Sequence, residues 1–153
     1  KGVKNGLKVF EKISSKYNNC ELKMFGNCDG SNLPDYVKHY QNPSKEKLVQ
    51  LYSSSDIFIF PSLEEGWGLT PLEAMACGCA VVGTQTGFVL DLGVNKINMM
   101  ISNPGDCEEM VRNIEELLEN PKTFETVKKG GMELASKLRW ECSVNYLEKL
   151  LKE

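Results

Sequence analysis

No apolar run in the sequence approaches the roughly 20 residues that cross a bilayer, and no leader pattern of basic then apolar residues opens it. Nor is there a basic block: 18 Lys and Arg stand against 21 Asp and Glu, for a formal net charge of −3. Phosphate-backbone contacts need clustered cations, so nucleic-acid binding is excluded as a class. The phrase G-x-G-x-x-G is missing, which argues against a dinucleotide oxidoreductase. Cysteine is present but scattered, at Cys20, Cys28, Cys77, Cys79, Cys107 and Cys142. Only Cys77 and Cys79 lie close together, with no second pair or histidine to complete a zinc site. Small buried thiols in a reducing cytosol are the expected state, and the expected location is cytoplasmic.

What is present suits an ordinary globular domain. A length of 153 residues is enough for one real core but cramped for two. Val3, Leu7, Phe10 and Ile13 recur at helical spacing over residues 3–17. "CELKMFG" reads as a strand, followed by the turn-rich "NCDGSNLPD", and "YVKHY" as a second short strand. Ser44 after Pro43 is a helix N-cap, with Leu48, Leu51 and Tyr52 on one face. "DIFIF" and "CAVVG" read as buried parallel strands, and "PLEAMAC" between them as a two-turn helix closed by Gly78.

Residues 86–105 are irregular, with one helical turn at Val89 to Leu92 and a small strand at Met99 to Ile101. Met110, Val111, Ile114, Leu117 and Leu118 line one face of a helix ending near Asn120-Pro121. The next helix is weakened by Gly130-Gly131, and Trp140, Val144, Leu147 and Leu151 mark the last. Alternating strands and helices indicate an α/β fold: a Rossmann-like, doubly wound parallel sheet followed by C-terminal helices, all in one domain over residues 1–153.

The chain opens directly on a helix. In the strand order 3-2-1-4-5-6 the first strand lies at the centre of the sheet. If the helix at 3–17 follows that strand, the sheet lacks its middle. A gap or a borrowed strand is then expected between the strands at 21–26 and 56–60.

The chemistry concentrates in "FPSLEEGWGLTPLEA", where a strand ends, a glycine loop follows and a helix begins. Ligands of open parallel sheets bind beyond the carboxyl ends of the strands. Helix-start amides offer positive partial charge to an anion, and Gly66 and Gly68 allow close backbone approach. Glu73, in the first helical turn, can accept hydrogen bonds from a diol, and Glu65 can reach another polar part of the same ligand. A nucleotide sugar fits that combination. A local alternative exists for Glu73: Thr70-Pro71-Leu72-Glu73 is also a capping box, with Thr70 as N-cap and proline at the first helical position. Glu65 alone would be a solvated loop acid.

The stretch "FPSLEEGWGLTPLEAMACGCAVVGT" resembles the E-x7-E signature of retaining glycosyltransferases of the GT-B class, group 1 or family 4 type. Glu65 and Glu73 match its two acids. The resemblance runs from Lys1-Gly2 through "SDIFIFPS" and "NMMISNPGD" to "RWECSVNYLEKLL", and points to the C-terminal, donor-binding half of such an enzyme.

That resemblance implies roles. Glu73 would hold the ribose hydroxyls, and Glu65 would bind the transferred sugar and support positive charge at its reacting carbon. Amides around Gly68, Leu69 and Thr70 would take the phosphates. Lys1 would neutralise the diphosphate leaving group, with a solvated terminal lysine as the local alternative. Asn42 and Pro43 would pass the base, although a helix-entry turn explains them equally. No D-x-D pair is present to hold Mg²⁺ or Mn²⁺, so no metal or other cofactor is expected. The expected activity is transfer of a hexosyl or deoxyhexosyl group in cell-surface polysaccharide or glycoconjugate synthesis. It would require an upstream acceptor domain, through which peripheral membrane association is conceivable, so the chain alone would be inactive. The rival is a non-catalytic nucleotide-binding or assembly module. One departure from the resemblance is Gly87-Phe88, where a glycine pair is usual. Phe88 would either narrow the sugar pocket or pack into the core.

Overall fold

The computed structural model describes residues 2–152. The chain alternates helices and strands: α1 (Val3–Lys16), β1 (Leu22–Gly26), β2 (Val37–Gln41), α2 (Lys45–Ser53), β3 (Ile57–Phe60), α3 (Leu69–Ala76), β4 (Ala80–Thr84), α4 (Val89–Leu92) and β5 (Met100–Ser102). Three helices close it: α5 (Cys107–Glu119), α6 (Pro121–Lys137) and α7 (Trp140–Leu150). Local signals set most of these limits. Ser44 caps α2 by accepting from the Lys47 amide at 3.2 Å, and Asp106 caps α5 through the Glu109 amide at 2.9 Å. Asn120 caps α6 through the Thr123 amide, with Pro121 in its first turn.

All strand pairs are parallel. β1 pairs with β2, and β4 lies between β3 and β5. β4 is buried along its whole length, so its alternate side chains feed two cores. Ala80 and Val82 pack with Val9, Ile114 and Leu117 of α1 and α5. Val81 packs with Tyr52, Met75 and Phe88 from α2, α3 and the turn into α4. Helices on both faces of a parallel sheet make the fold mixed α/β and doubly wound.

The sheet is interrupted. β1 and β3 belong to separate sheets and are not hydrogen-bonded to each other. Between them lies a groove of about 470 Å³, lined by Leu22 and Met24 of β1, Ile57 and Ile59 of β3, Phe10 of α1 and Leu118 of α5. The apolar strand β3, expected to be buried, is therefore only half-buried except at Phe60. Leu118, expected in the α5 core stripe, is 41% exposed for the same reason. On one side of the groove β1 and β2 pair in parallel, and on the other β3, β4 and β5 do.

One expectation needs correction. Gly130 and Gly131 do not weaken α6, which runs unbroken through them. They let it sit against the backbone before β5: a Cβ on Gly130 would lie 2.1 Å from the Ile97 carbonyl oxygen, and one on Gly131 3.0 Å from Met75 Cγ. Alanine at 130 would add about 1 kcal/mol of helix propensity. The clash is with backbone, which cannot rotate away, so packing wins. Gly130→Ala is expected to destabilise the fold by about 1–3 kcal/mol, read as a lower melting temperature. An unchanged or raised melting temperature would show that the 95–99 loop yields freely. In α7 the stripe of Trp140, Val144, Leu147 and Leu151 buries nothing, and Trp140 is 85% exposed.

Candidate functional site

The carboxyl ends of β3 and β4 carry the site. β3 stops at Pro61, which has no amide hydrogen for a ladder bond. The loop that follows is tied back to the sheet. Thr84, at the end of β4, donates its hydroxyl to the Ser62 carbonyl at 2.5 Å. Ser62 is buried, and its own hydroxyl donates to Glu65 Oε1 at 2.8 Å. One sheet position thereby fixes the backbone at Ser62, and Ser62 orients the half-buried Glu65.

The loop after β4 braces the other side. Gly87 has φ +56°, and a Cβ there would fall 2.2 Å from the Trp67 carbonyl oxygen and 3.2 Å from Glu65 Cβ. Only glycine permits that approach. The Phe88 amide donates to the Trp67 carbonyl at 2.8 Å, locking the two loops together. The Phe88 ring is fully buried, 6.1 Å between centroids from Trp67, so it packs into the core.

The start of α3 differs from the capping-box reading. Gly68 adopts the left-handed conformation, φ 90°, and is itself the N-cap; no side chain caps the helix. A Cβ on Gly68 would press on Phe60 Cζ at 3.0 Å. The glycine turn begins the helix at Leu69, so Thr70 is its second residue, Pro71 its third, and Glu73 sits in the second turn rather than the first. From there Glu73 does not close a capping box. Its Oε2 accepts from the Tyr52 hydroxyl of α2 at 3.0 Å. Burial first, then the Glu73 carboxylate, pushes the Tyr52 hydroxyl well above the usual phenol range, so it remains a donor.

Residues assigned to the site from sequence thus divide. Glu65, Gly66, Gly68, Leu69, Thr70 and Glu73 are gathered in one loop-to-helix turn at the carboxyl edge. Gly66 has open space where a Cβ would stand, so nothing in the chain itself requires glycine there. Asn42 and Pro43 follow β2 at the same edge of the other sheet. Asn42 has φ +43° and donates its amide to the Gly26 carbonyl, while Pro43 leads into the Ser44 cap. Lys1 lies outside the described residues. Sequence reasoning missed Ser62 and Thr84 and gave Tyr52 only a packing face; a serine after the strand-ending proline was the one local hint. Among the described residues no group of three or more His, Cys, Asp or Glu is placed to hold a metal ion. Buried Cys79, its thiol pushed up to about 11 by desolvation, donates to the Tyr52 carbonyl at 3.1 Å.

Set beside known proteins, residues 1–133 match the profile of the family described as glycosyl transferases group 1. The chain is 27% identical over 167 residues to the capsular polysaccharide biosynthesis glycosyltransferase CapM of Staphylococcus aureus, a match covering all of this chain and 44% of that protein. Among solved structures it resembles the C-terminal domain of the glycosyl transferase group 1 family protein LpcC from Francisella tularensis, with a TM-score of 0.79 and 20% identity over 90% of this chain and 79% of that one. HepE of Anabaena, solved with UDP and glucose, aligns with a TM-score of 0.76 and 19% identity over 95% of this chain and 44% of that one. The chain spans less than half the length of the first curated relatives it matches.

Proposed function

The chain belongs to the glycosyl transferases group 1 family, and from that premise we propose that it binds a nucleotide-diphosphate sugar and serves as the donor half of a retaining glycosyltransferase. The observation that carries this reading is the convergence of two separately anchored carboxylates with a helix start that no side chain caps. A capping box would have used Glu73; instead its carboxylate accepts from the Tyr52 hydroxyl. Glu73 holds the ribose diol, the amides of Leu69 and Thr70 take phosphate oxygens, and Glu65 binds sugar hydroxyls. The HepE complex with UDP and glucose supports the ligand class by analogy of fold.

The chemistry follows from the charges. As the bond from the sugar's reacting carbon to the diphosphate oxygen breaks, positive charge grows on the carbon and negative charge on the departing phosphate. Glu65 answers the first and the helix start the second, with the cation of Lys1, whose position lies outside the described residues, assigned to the same charge only by the family resemblance. The acceptor oxygen attacks from the same face, and its proton passes to the leaving phosphate oxygen, so configuration is retained. Cation and amides do this work without a metal. In the whole protein the sugar, a hexosyl or deoxyhexosyl unit, goes to an acceptor in cell-surface polysaccharide or glycoconjugate synthesis on the cytoplasmic side, with an upstream domain holding that acceptor. This chain by itself binds donor and transfers no sugar.

Calorimetric titration with UDP, GDP, ADP and dTDP tests the reading. One diphosphate is expected to bind clearly better than the rest, with the same affinity in EDTA as in Mg²⁺. Failure of all four to bind would sink the proposal, and loss of binding in EDTA would remove its metal-independent part.

A further inference from the structure

Tyr52 is only 4% exposed and lies on α2, outside the glycine loop. Its ring is clamped edge-on between Phe25 and Phe58, each 5.6 Å away between centroids. Its backbone carbonyl accepts from the buried Cys79 thiol. A phenylalanine would fill this space as well, and a buried tyrosine hydroxyl needs a partner. Here the partner is not a backbone carbonyl but the exposed carboxylate of Glu73.

An unrestrained glutamate on a helix surface samples many rotamers, and binding must then bear the cost of ordering it. A hydroxyl fixed by two aromatic rings removes that freedom. It engages Oε2 and leaves Oε1 for a ligand. The other acid, Glu65, likewise accepts from a hydroxyl, that of Ser62. We propose that Tyr52 is a positioning residue for nucleotide recognition: it holds Glu73 in the one orientation that accepts a vicinal ribose diol. The inference rests on the assignment of Glu73 to the ribose.

Tyr52→Phe, Glu73→Gln and the double variant test this, each titrated with the preferred diphosphate and with its 2′,3′-dideoxy analogue, beside their melting temperatures. Tyr52→Phe is expected to weaken the ribose-bearing diphosphate by about tenfold, the worth of one hydrogen bond to a charged group at its lower end. It should leave the dideoxy analogue unchanged, a distinction that general loosening of the core would not make. In the Glu73→Gln background the same change should add little, since both act through one carboxylate. Wild-type affinity in Tyr52→Phe, with Glu73→Gln weakened, would overturn the positioning role alone. Equal losses for both nucleotides would make Tyr52 a packing residue. Unchanged binding in Glu73→Gln would instead overturn the ribose assignment on which the inference stands.

Discussion

Glu73→Gln is expected to weaken nucleoside diphosphate binding by about 1–3 kcal/mol, roughly 5- to 150-fold, with the melting temperature nearly unchanged. The two halves of that result have separate causes. Affinity falls because a carboxylate makes charge-assisted bonds to a diol and an amide does not. Stability is spared because Glu73 caps nothing: Gly68 is the N-cap of α3, and the glutamine oxygen can still accept from Tyr52. Glu65→Gln should behave differently. It is expected to spare the free diphosphate and to weaken only the intact sugar donor, since the proposed site sets Glu65 against the sugar. Calorimetry of both variants with both ligands separates them. Unchanged diphosphate affinity in Glu73→Gln would leave that acid with a structural role, and the paired-carboxylate reading would fall.

Fusing an apolar β-strand of about five residues ahead of Lys1 is expected to raise the melting temperature by at least about 6–12 °C and to suppress self-association. The groove between β1 and β3 has apolar walls, and the exposed backbone edges of two parallel strands face across it. Gly2, which begins α1, sits against Pro61 at the carboxyl end of β3: a Cβ on it would lie 1.8 Å from the Pro61 carbonyl oxygen. A strand parallel to β3 would therefore end where α1 begins. It would complete the order β2-β1-new-β3-β4-β5, which is the doubly wound 3-2-1-4-5-6 arrangement. Burying two or three branched side chains at about 1.5–3 kcal/mol each gives at least about 3 kcal/mol, and in a domain of this size each kcal/mol is worth about 2–4 °C. Without the insert, free edges should make the chain associate at micromolar concentration. Thermal melts and sedimentation velocity check both parts. A monomeric parent chain, or a fusion with an unmoved melting temperature, would mean that the two edges are not competent to pair.

The helix cap at Ser44 and the helix break at Asn120-Pro121 were legible in the sequence because each rests on contacts within a few residues, and the alternation of short apolar strands with helices implied parallel pairing. Periodicity in Phe10 and Ile13, or in Met110, Ile114 and Leu117, reports directly which face of a helix is apolar, although Val3, read into the same stripe, is exposed and Val9, not read into it, is buried. The interrupted sheet was legible too, since a doubly wound order places its first strand at the centre. The two glutamates and the glycine loop were visible as a phrase.

What that phrase does was decided only in three dimensions. Thr70-x-x-Glu73 satisfies every local requirement of a capping box, yet the left-handed turn at Gly68, packed on Phe60, starts the helix earlier and frees the acid. The same holds for Gly130, a helix weakener by propensity and a close-contact residue in fact, because the backbone it meets is 33 positions away at Ile97. Tyr52 and Ser62 reach the two acids through hydrogen bonds spanning 21 and 3 positions. A sequence pattern records propensity along the chain. It does not record which distant atom occupies the space beside a residue, and here that neighbour assigns the role.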